Sequence, residues 1–211
     1  MFLTFKMNKL VIASNNPGKL REISAILAPL AIEVVPQGAL GVSEAEEPYG
    51  TFVENALAKA RHASRVTGLP ALADDSGVCV HALGGEPGVH SARYAAAAGD
   101  SQRDDQDRRN NEKLLHALAS AKDRSAHYYC VIVLLRRADD PQPLIAEAEW
   151  HGEILTAPRG QGGFGYDPLF LVPEFGRTGA ELLPEEKNRV SHRGRALTML
   201  VAKLRALQSQ P

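Results

Sequence analysis

The sequence predicts a layered α/β protein built on a mixed β-sheet, and three observations carry this. Apolar runs of strand length are interleaved with segments whose apolar residues recur at helical spacing. Adjacent pairs of strand-like runs occur without an intervening helix, so antiparallel neighbours are expected beside parallel ones. No repeat, linker or low-complexity segment interrupts the 211 residues, of which 44% are hydrophobic and 23% charged. That composition suits one large globular domain, or two lobes sharing a core, and excludes a disordered chain.

The elements follow in order. Residues 9–14 form an apolar strand, Asn15-Asn16-Pro17-Gly18 a turn, and residues 19–30 a helix with Leu20, Ile23, Ile26, Leu27 and Leu30 on one face. Residues 32–35 read as a second strand. Residues 51–66 read as a second helix, with Phe52, Ala56, Leu57, Ala60 and Ala63 along one side. Residues 69–74 and 78–83 are expected as a hairpin-like pair on either side of an acidic turn, followed by the glycine-rich loop at 84–88. A charged helix spans 104–119. Residues 128–135 are the most hydrophobic strand, and 144–154 alternate enough to pair with them. A short strand at 169–172 and a closing helix at 191–207 complete the chain.

Charge and cysteine usage narrow the function. Lysine and arginine total 24 against 25 acidic residues, so no global field draws the chain to nucleic acid or an anionic membrane. Any anion must be held by a local constellation. Cys79 and Cys130 each lie in an apolar run and lack ligand spacing, as expected of buried thiols; His81 and His90 also lack the spacing of zinc ligands. Residues 1–6 carry neither a basic leader nor a stretch long enough for membrane insertion, so a cytoplasmic setting is expected, with Met7 an alternative start.

Five segments can carry chemistry. Ala73-Asp74-Asp75-Ser76-Gly77 places two carboxylates where an apolar run meets a turn, suited to a metal ion or a proton but also an ordinary strand exit. Neighbouring carboxylates on an extended chain point to opposite sides, so only one belongs to such a site. Ser14-Asn15-Asn16-Pro17-Gly18-Lys19 lies at a helix start, where free N–H groups and Lys19 can attract phosphate; on these residues alone a plain helix cap is the favoured reading. It is not a Walker loop, since Leu20 follows the lysine. Glu44, Glu46 and Glu47 precede the second helix, where acids complement the helix dipole, and Glu47 with Asp75 would make a minimal magnesium site. Lys59, one turn beyond Asn55, can reach the same place or simply be solvated. Gly162-Gly163-Phe164-Gly165-Tyr166-Asp167-Pro168 lets backbone and ring approach a flat ligand, or forms a turn with an aromatic plug. Residues 185–195 gather donors, including Lys187, His192 and Arg193, around a helix start.

Taken in order, Ser-Asn-Asn-Pro-Gly-Lys, Thr-Phe-Val-Glu-Asn-Ala, Ala-Asp-Asp-Ser-Gly, Gly-Gly-Phe-Gly-Tyr-Asp-Pro and Ser-His-Arg-Gly-Arg-Ala resemble the inosine/xanthosine triphosphate pyrophosphatase family over residues 9–207. The resemblance implies one nucleoside triphosphate pyrophosphatase domain over residues 1–211, an elongated mixed sheet flanked by helices in two lobes around a central nucleotide cleft. It implies a cytoplasmic homodimer that uses Mg²⁺ to convert ITP, dITP and XTP to monophosphate and pyrophosphate, keeping them out of DNA and RNA. By motif position, Ser14, Asn15, Asn16, Pro17, Gly18 and Lys19 become the triphosphate loop. Glu47 and Asp75 become the metal site, with Asp75 also the proton acceptor, and Ser76 a substrate contact. Phe164, Gly165, Tyr166 and Asp167 form the base pocket with Lys187, while His192 and Arg193 read the purine edge. The family often has glycine where Asn15 stands. Two other readings compete: a non-catalytic nucleotide sensor, which has no need of the carboxylates, and a general phosphatase, which wants Asp-x-Asp and releases orthophosphate.

Overall fold

Helix and strand boundaries follow the punctuation of the chain. The computed structural model describes residues 7–95 and 103–208; the expected extension at residues 1–6 lies outside the described residues, as do 96–102 and 209–211. Strand β1 (Lys9–Ile12) leads into helix α1 (Pro17–Leu27), with proline in the first turn, where its missing N–H costs nothing. Strand β2 (Glu33–Pro36) pairs parallel with β1, Lys9 opposite Glu33. Thr51 caps helix α2 (Phe52–Thr67), accepting a hydrogen bond from the Glu54 N–H, and the helix ends at Gly68 with φ 68°. Ala56, Ala60 and Ala63 form its buried stripe.

The hairpin expected around the acidic turn is instead one unbroken strand, β3 (Ala71–Val80), with Asp74, Asp75 and Ser76 in its middle. The turn signal of Asp-Asp-Ser-Gly is overridden because both carboxylates find cationic partners, so neither needs solvent. Gly77 serves close approach: a methyl group there would run into the Gly88 carbonyl and the Ser91 hydroxyl.

Helix α3 (Arg103–Ala117) precedes the long strands β4 (Ser125–Leu135) and β5 (Leu144–Ile154). On β5, Glu147, Glu149, His151 and Glu153 are exposed while Ala146, Trp150 and Ile154 are buried, the alternation of a strand with one wet face. Strands β6 (Phe170–Val172) and β7 (Arg177–Thr178) follow, then helices α4 (Pro184–Val190) and α5 (His192–Gln208). The single closing helix expected from 191 is preceded by this separate α4, broken at extended Ser191. Its signals were present: Pro184 at the first position, Glu185 and Glu186 in the first turn, and the Glu186 carboxylate accepting the Leu183 N–H at 2.9 Å.

The seven strands form one mixed sheet in the order β2-β1-β3-β4-β5-β6-β7. Strand β1 is parallel to β2 and β3, whereas β6 is antiparallel to β5 and β7. The chain divides into two compact units. One comprises the chain up to Asp75, Cys130–Ala148 and the stretch from His192 onward; the other comprises Ser76–Tyr129 and Glu149–Ser191. In the first, Leu10, Ile12, Ile23, Leu27, Leu72, Ile132, Leu134, Leu197 and Leu200 form an aliphatic core, with α1 packed on α5. The second has an aromatic core, in which the Phe170 ring lies 4.7 Å from Tyr128 and 5.1 Å from Trp150. Among the described residues no helix is long and apolar enough to cross a membrane.

Candidate active site

Asp74 and Asp75 leave opposite faces of β3 and meet different partners. Asp74 is 1% exposed. It accepts a hydrogen bond from Arg193 Nε at 2.9 Å and from the Cys130 thiol at 3.0 Å, and it pairs with the Lys19 ammonium. Arg193, itself buried, also pairs with Glu22. Burial pushes the Asp74 carboxyl upward, but Arg193 and Lys19 more than reverse this and hold it well below the ordinary carboxylate range. Burial, followed by the adjoining Asp74 charge, pushes the Cys130 thiol far up, so it remains a donor. Asp74 is therefore held toward its anionic form within an internal ion network.

Asp75 differs. Its Oδ1 receives Lys59 Nζ at 2.7 Å, and the same ammonium lies 2.7 Å from Glu47 Oε1. Its Oδ2 is buried and has no hydrogen-bond partner among the described residues. Burial raises this carboxyl above its ordinary value, and Lys59 and Lys19 offset that only in part. Burial acts to lower Lys59, yet Asp75 and Glu47 outweigh it and keep the lysine charged. Glu47 is held near the site from α2: Asn55, wholly buried, accepts the Tyr49 N–H at 3.1 Å and donates to the Tyr49 carbonyl at 3.0 Å.

Among the described residues no three or more His, Cys, Asp or Glu side chains converge as a metal-binding group. The pair Glu47 and Asp75 nevertheless suits a hard cation that keeps most of its water: both offer carboxylate oxygen, and one oxygen of Asp75 is buried without a donor. Lys59 holds that pair with its charge partly compensated. Of the two readings the sequence left open for Lys59, reaching the carboxylates or being solvated, the structure has the first.

At the start of α1 the backbone donors are taken up by the helix cap, the reading these residues favoured on their own, and are not left free for a phosphate. Ser14 Oγ accepts the Asn16 N–H at 3.1 Å, Asn16 Oδ1 accepts those of Gly18 and Lys19 at 2.9 and 3.2 Å, and Pro17 has none. A cap that satisfies the first turn leaves side chains, Lys19 above all, as what this segment presents to an anion. Asn15 Nδ2 donates to Glu44 Oε1 at 3.2 Å.

In the second unit the glycine-rich loop is built around Asp167. Its Oδ2 accepts the Phe164 N–H at 2.9 Å and Lys187 Nζ at 2.5 Å, and the lysine lies 4.8 Å from the centre of the Phe164 ring. Asp167 and Lys187 are 2% and 4% exposed, so they form an internal support under the ring. A substituent on Gly163, where φ is 71°, would run into the Asp167 carboxylate. Tyr166 is buried and its hydroxyl donates to the Ser91 carbonyl at 2.8 Å. Gly165 has both backbone polar groups held from α3, its N–H by Asp107 Oδ2 and its carbonyl by Asn111 Nδ2, each at 2.8 Å.

The structure thus gathers Ser14, Asn15, Asn16, Pro17, Gly18, Lys19, Glu47, Asp75, His192 and Arg193 in the first unit, and Ser76, Phe164, Gly165, Tyr166, Asp167 and Lys187 in the second. His192 is buried at the start of α5. Sequence reasoning missed Glu22, Asp107 and Asn111. Each lies on a helix surface among other polar residues, where local pattern gives no sign of a distant partner.

The chain is similar to known proteins over nearly its whole length. The model of the Ham1 family matches residues 10–203. A dITP/XTP pyrophosphatase of Ralstonia nicotianae is 63% identical over 96% of this chain and all of its own, and one of Nitrosomonas europaea is 65% identical over 97% of this chain and 98% of its own. Among solved structures, a HAM1 protein from Coxiella burnetii shares 49% identity with a TM-score of 0.84, covering 95% of this chain and all of that one. The Staphylococcus aureus Ham1 protein shares 38% with a TM-score of 0.80, covering 94% and 98%. With a family match across nearly its whole length and relatives this similar end to end, the chain belongs to the Ham1 family.

Proposed function

We propose that this protein hydrolyses non-canonical purine nucleoside triphosphates, ITP, dITP and XTP, to the monophosphate and pyrophosphate. One observation in the site carries the reading: Asp75, a buried carboxylate with raised proton affinity, one oxygen on Lys59 and the other without a hydrogen-bond partner among the described residues. Such a group is a suitable acceptor for the proton of an attacking water, because a base is most effective when its pKa is drawn toward the working pH. The relatives named dITP/XTP pyrophosphatase support the substrate class.

Glu47 and Asp75 would hold magnesium, which supplies neutralising charge to the phosphates when bound. Lys19 and Lys59 add fixed positive charge, so a nucleophile can approach a polyanion. Water's oxygen forms a bond to phosphorus, its proton passes to Asp75, and the bridge between the α- and β-phosphates breaks, releasing pyrophosphate. Ser76 adjoins Asp75 as a substrate contact in this reading. Phe164 offers a ring for stacking, held by Lys187 and Asp167. Donors for O6 are assigned to His192 and Arg193; adenine, with an amino donor at that position, is then mismatched, which discriminates by about 10⁴. A homodimer in the cytoplasm, guarding DNA and RNA precursors, belongs to the same reading, and light scattering on the purified protein tests the dimer.

The deciding experiment incubates the protein with ITP, XTP and ATP in the presence of Mg²⁺ and measures pyrophosphate and orthophosphate separately. Pyrophosphate from ITP and XTP, with little from ATP, is the expected result. Orthophosphate would favour a general phosphatase, and no turnover a sensor.

A further inference from the structure

We propose that Asp107 and Asn111, one turn apart on α3, are positioning residues for base recognition, setting the Phe164 ring through the backbone of Gly165. The inference rests on the reading above, in which Phe164 stacks on the purine. Gly165 follows Phe164 directly, and its peptide groups are clasped from both sides: Asp107 Oδ2 accepts its N–H and Asn111 Nδ2 donates to its carbonyl, both at 2.8 Å. The same Asn111 amide also donates to the Asp107 carbonyl at 2.7 Å, so both of its N–H groups face carbonyls and its orientation is fixed.

The clasp acts where the loop has little stiffness of its own. Gly163 and Gly165 flank Phe164 with φ of 71° and 63°, and because glycine restricts its own backbone least, the peptides beside the ring must be held by their partners. One flank is anchored by Asp167, which accepts the Phe164 N–H, and the other by α3. Asn110, the neighbouring helix residue, accepts the Ala95 N–H at 2.8 Å and donates to the Ser91 carbonyl at 3.2 Å, the carbonyl that also receives the Tyr166 hydroxyl. Helix α3 therefore fastens the loop at two consecutive residues, Gly165 directly and Tyr166 through Ser91. A ring fixed before substrate arrives loses less freedom on binding, and the gain appears in affinity for the base alone.

The test titrates inosine monophosphate and, separately, inorganic pyrophosphate into the full chain by calorimetry. Asp107→Ala and Asn111→Ala should each weaken inosine monophosphate about tenfold, the scale of one or two lost hydrogen bonds, and leave pyrophosphate unchanged. Asp107→Asn, which keeps an acceptor oxygen, should recover most of the loss. Amide exchange at Phe164 and Gly165 should accelerate in both alanine variants, and if Asp107→Ala fails to fold, Asn111→Ala carries the test. Phe164→Ala separates the two ideas. Weakened binding in Phe164→Ala with parental binding in the α3 variants overturns the clasp. Parental binding in Phe164→Ala overturns the stacking reading and the clasp with it. A parallel loss of both ligands in the α3 variants also overturns the proposal, since it marks a general structural strut.

Discussion

Asp74 and Asp75 are consecutive residues whose proton affinities move in opposite directions, Asp74 downward because Arg193 and Lys19 outweigh its burial, Asp75 upward because its burial outweighs Lys59 and Lys19. Adjacent positions thus hold one carboxylate locked as an anion and one able to take a proton. Asp75→Asn should accordingly lower kcat by about 10³ or more while leaving the melting temperature near that of the parent, since the amide keeps the shape and loses the proton acceptor. Glu47→Gln should shift the magnesium titration to higher concentration. Steady-state kinetics and a metal titration check both; near-normal turnover of folded Asp75→Asn would remove it from the chemistry.

The mirror substitution should injure the fold. Asp74→Ala leaves Arg193 buried beside Lys19 without its carboxylate and should cost about 3–5 kcal/mol of stability. Denaturant unfolding of Asp74→Ala beside Asp75→Asn measures the contrast, which disappears if the two lose stability equally.

Base recognition makes a third test. Phe164→Ala should lower kcat/KM for ITP and ATP alike, by the equivalent of about 1–3 kcal/mol for a lost stack. Arg193→Lys retains the positive charge that Asp74 requires but loses the planar fork, and it should lower the ITP/ATP ratio of kcat/KM. An unchanged ratio would leave Arg193 as a support for Asp74 and Glu22.

A fourth test concerns stability and pH. Asp140 accepts Arg136 Nη2 at 2.6 Å and Nε at 2.8 Å, and these bonds, against the opposing effect of burial, hold its carboxyl below the ordinary range. The folded value being depressed, the stabilisation is complete above the unfolded carboxylate pKa and is lost as pH falls through the folded one. Asp140→Asn should cost about 2 kcal/mol at neutral pH. The penalty should shrink in acid, and melting curves from pH 7 downward check it. A penalty independent of pH would mean the asparagine loses packing and not charge.

Much of the fold was legible because it is written in local pattern. The apolar period of α1, the Thr51 cap and Gly68 stop of α2, and the alternation of β5 each follow from neighbouring residues. Strand β3 was misread because its acidic centre resembles a turn, and the cations that neutralise it come from residues 19, 59 and 193, distant in sequence. Asp75 and Glu47 stood out as carboxylates and the spacing from Asn55 let Lys59 reach them, yet nothing local told that Asp74 belongs to Arg193. The residues at the start of α1 favoured a helix cap over free amides, and that Asn16 supplies it is decided by its rotamer, which sequence does not record.

Continuity of β3 has a consequence for how this chain can change. Because side chains alternate along a strand, losing one residue between Ala71 and Asp74 would reverse the facing of everything before it relative to the two acids. Asp75 would then fall in the place of Asp74 and Ser76 in that of Asp75, leaving a hydroxyl where the protonatable acid belongs. A substitution at β3 positions other than the two acids and Gly77 changes one side chain, whereas a deletion shifts the whole site, so the length of β3 should tolerate less change than its composition.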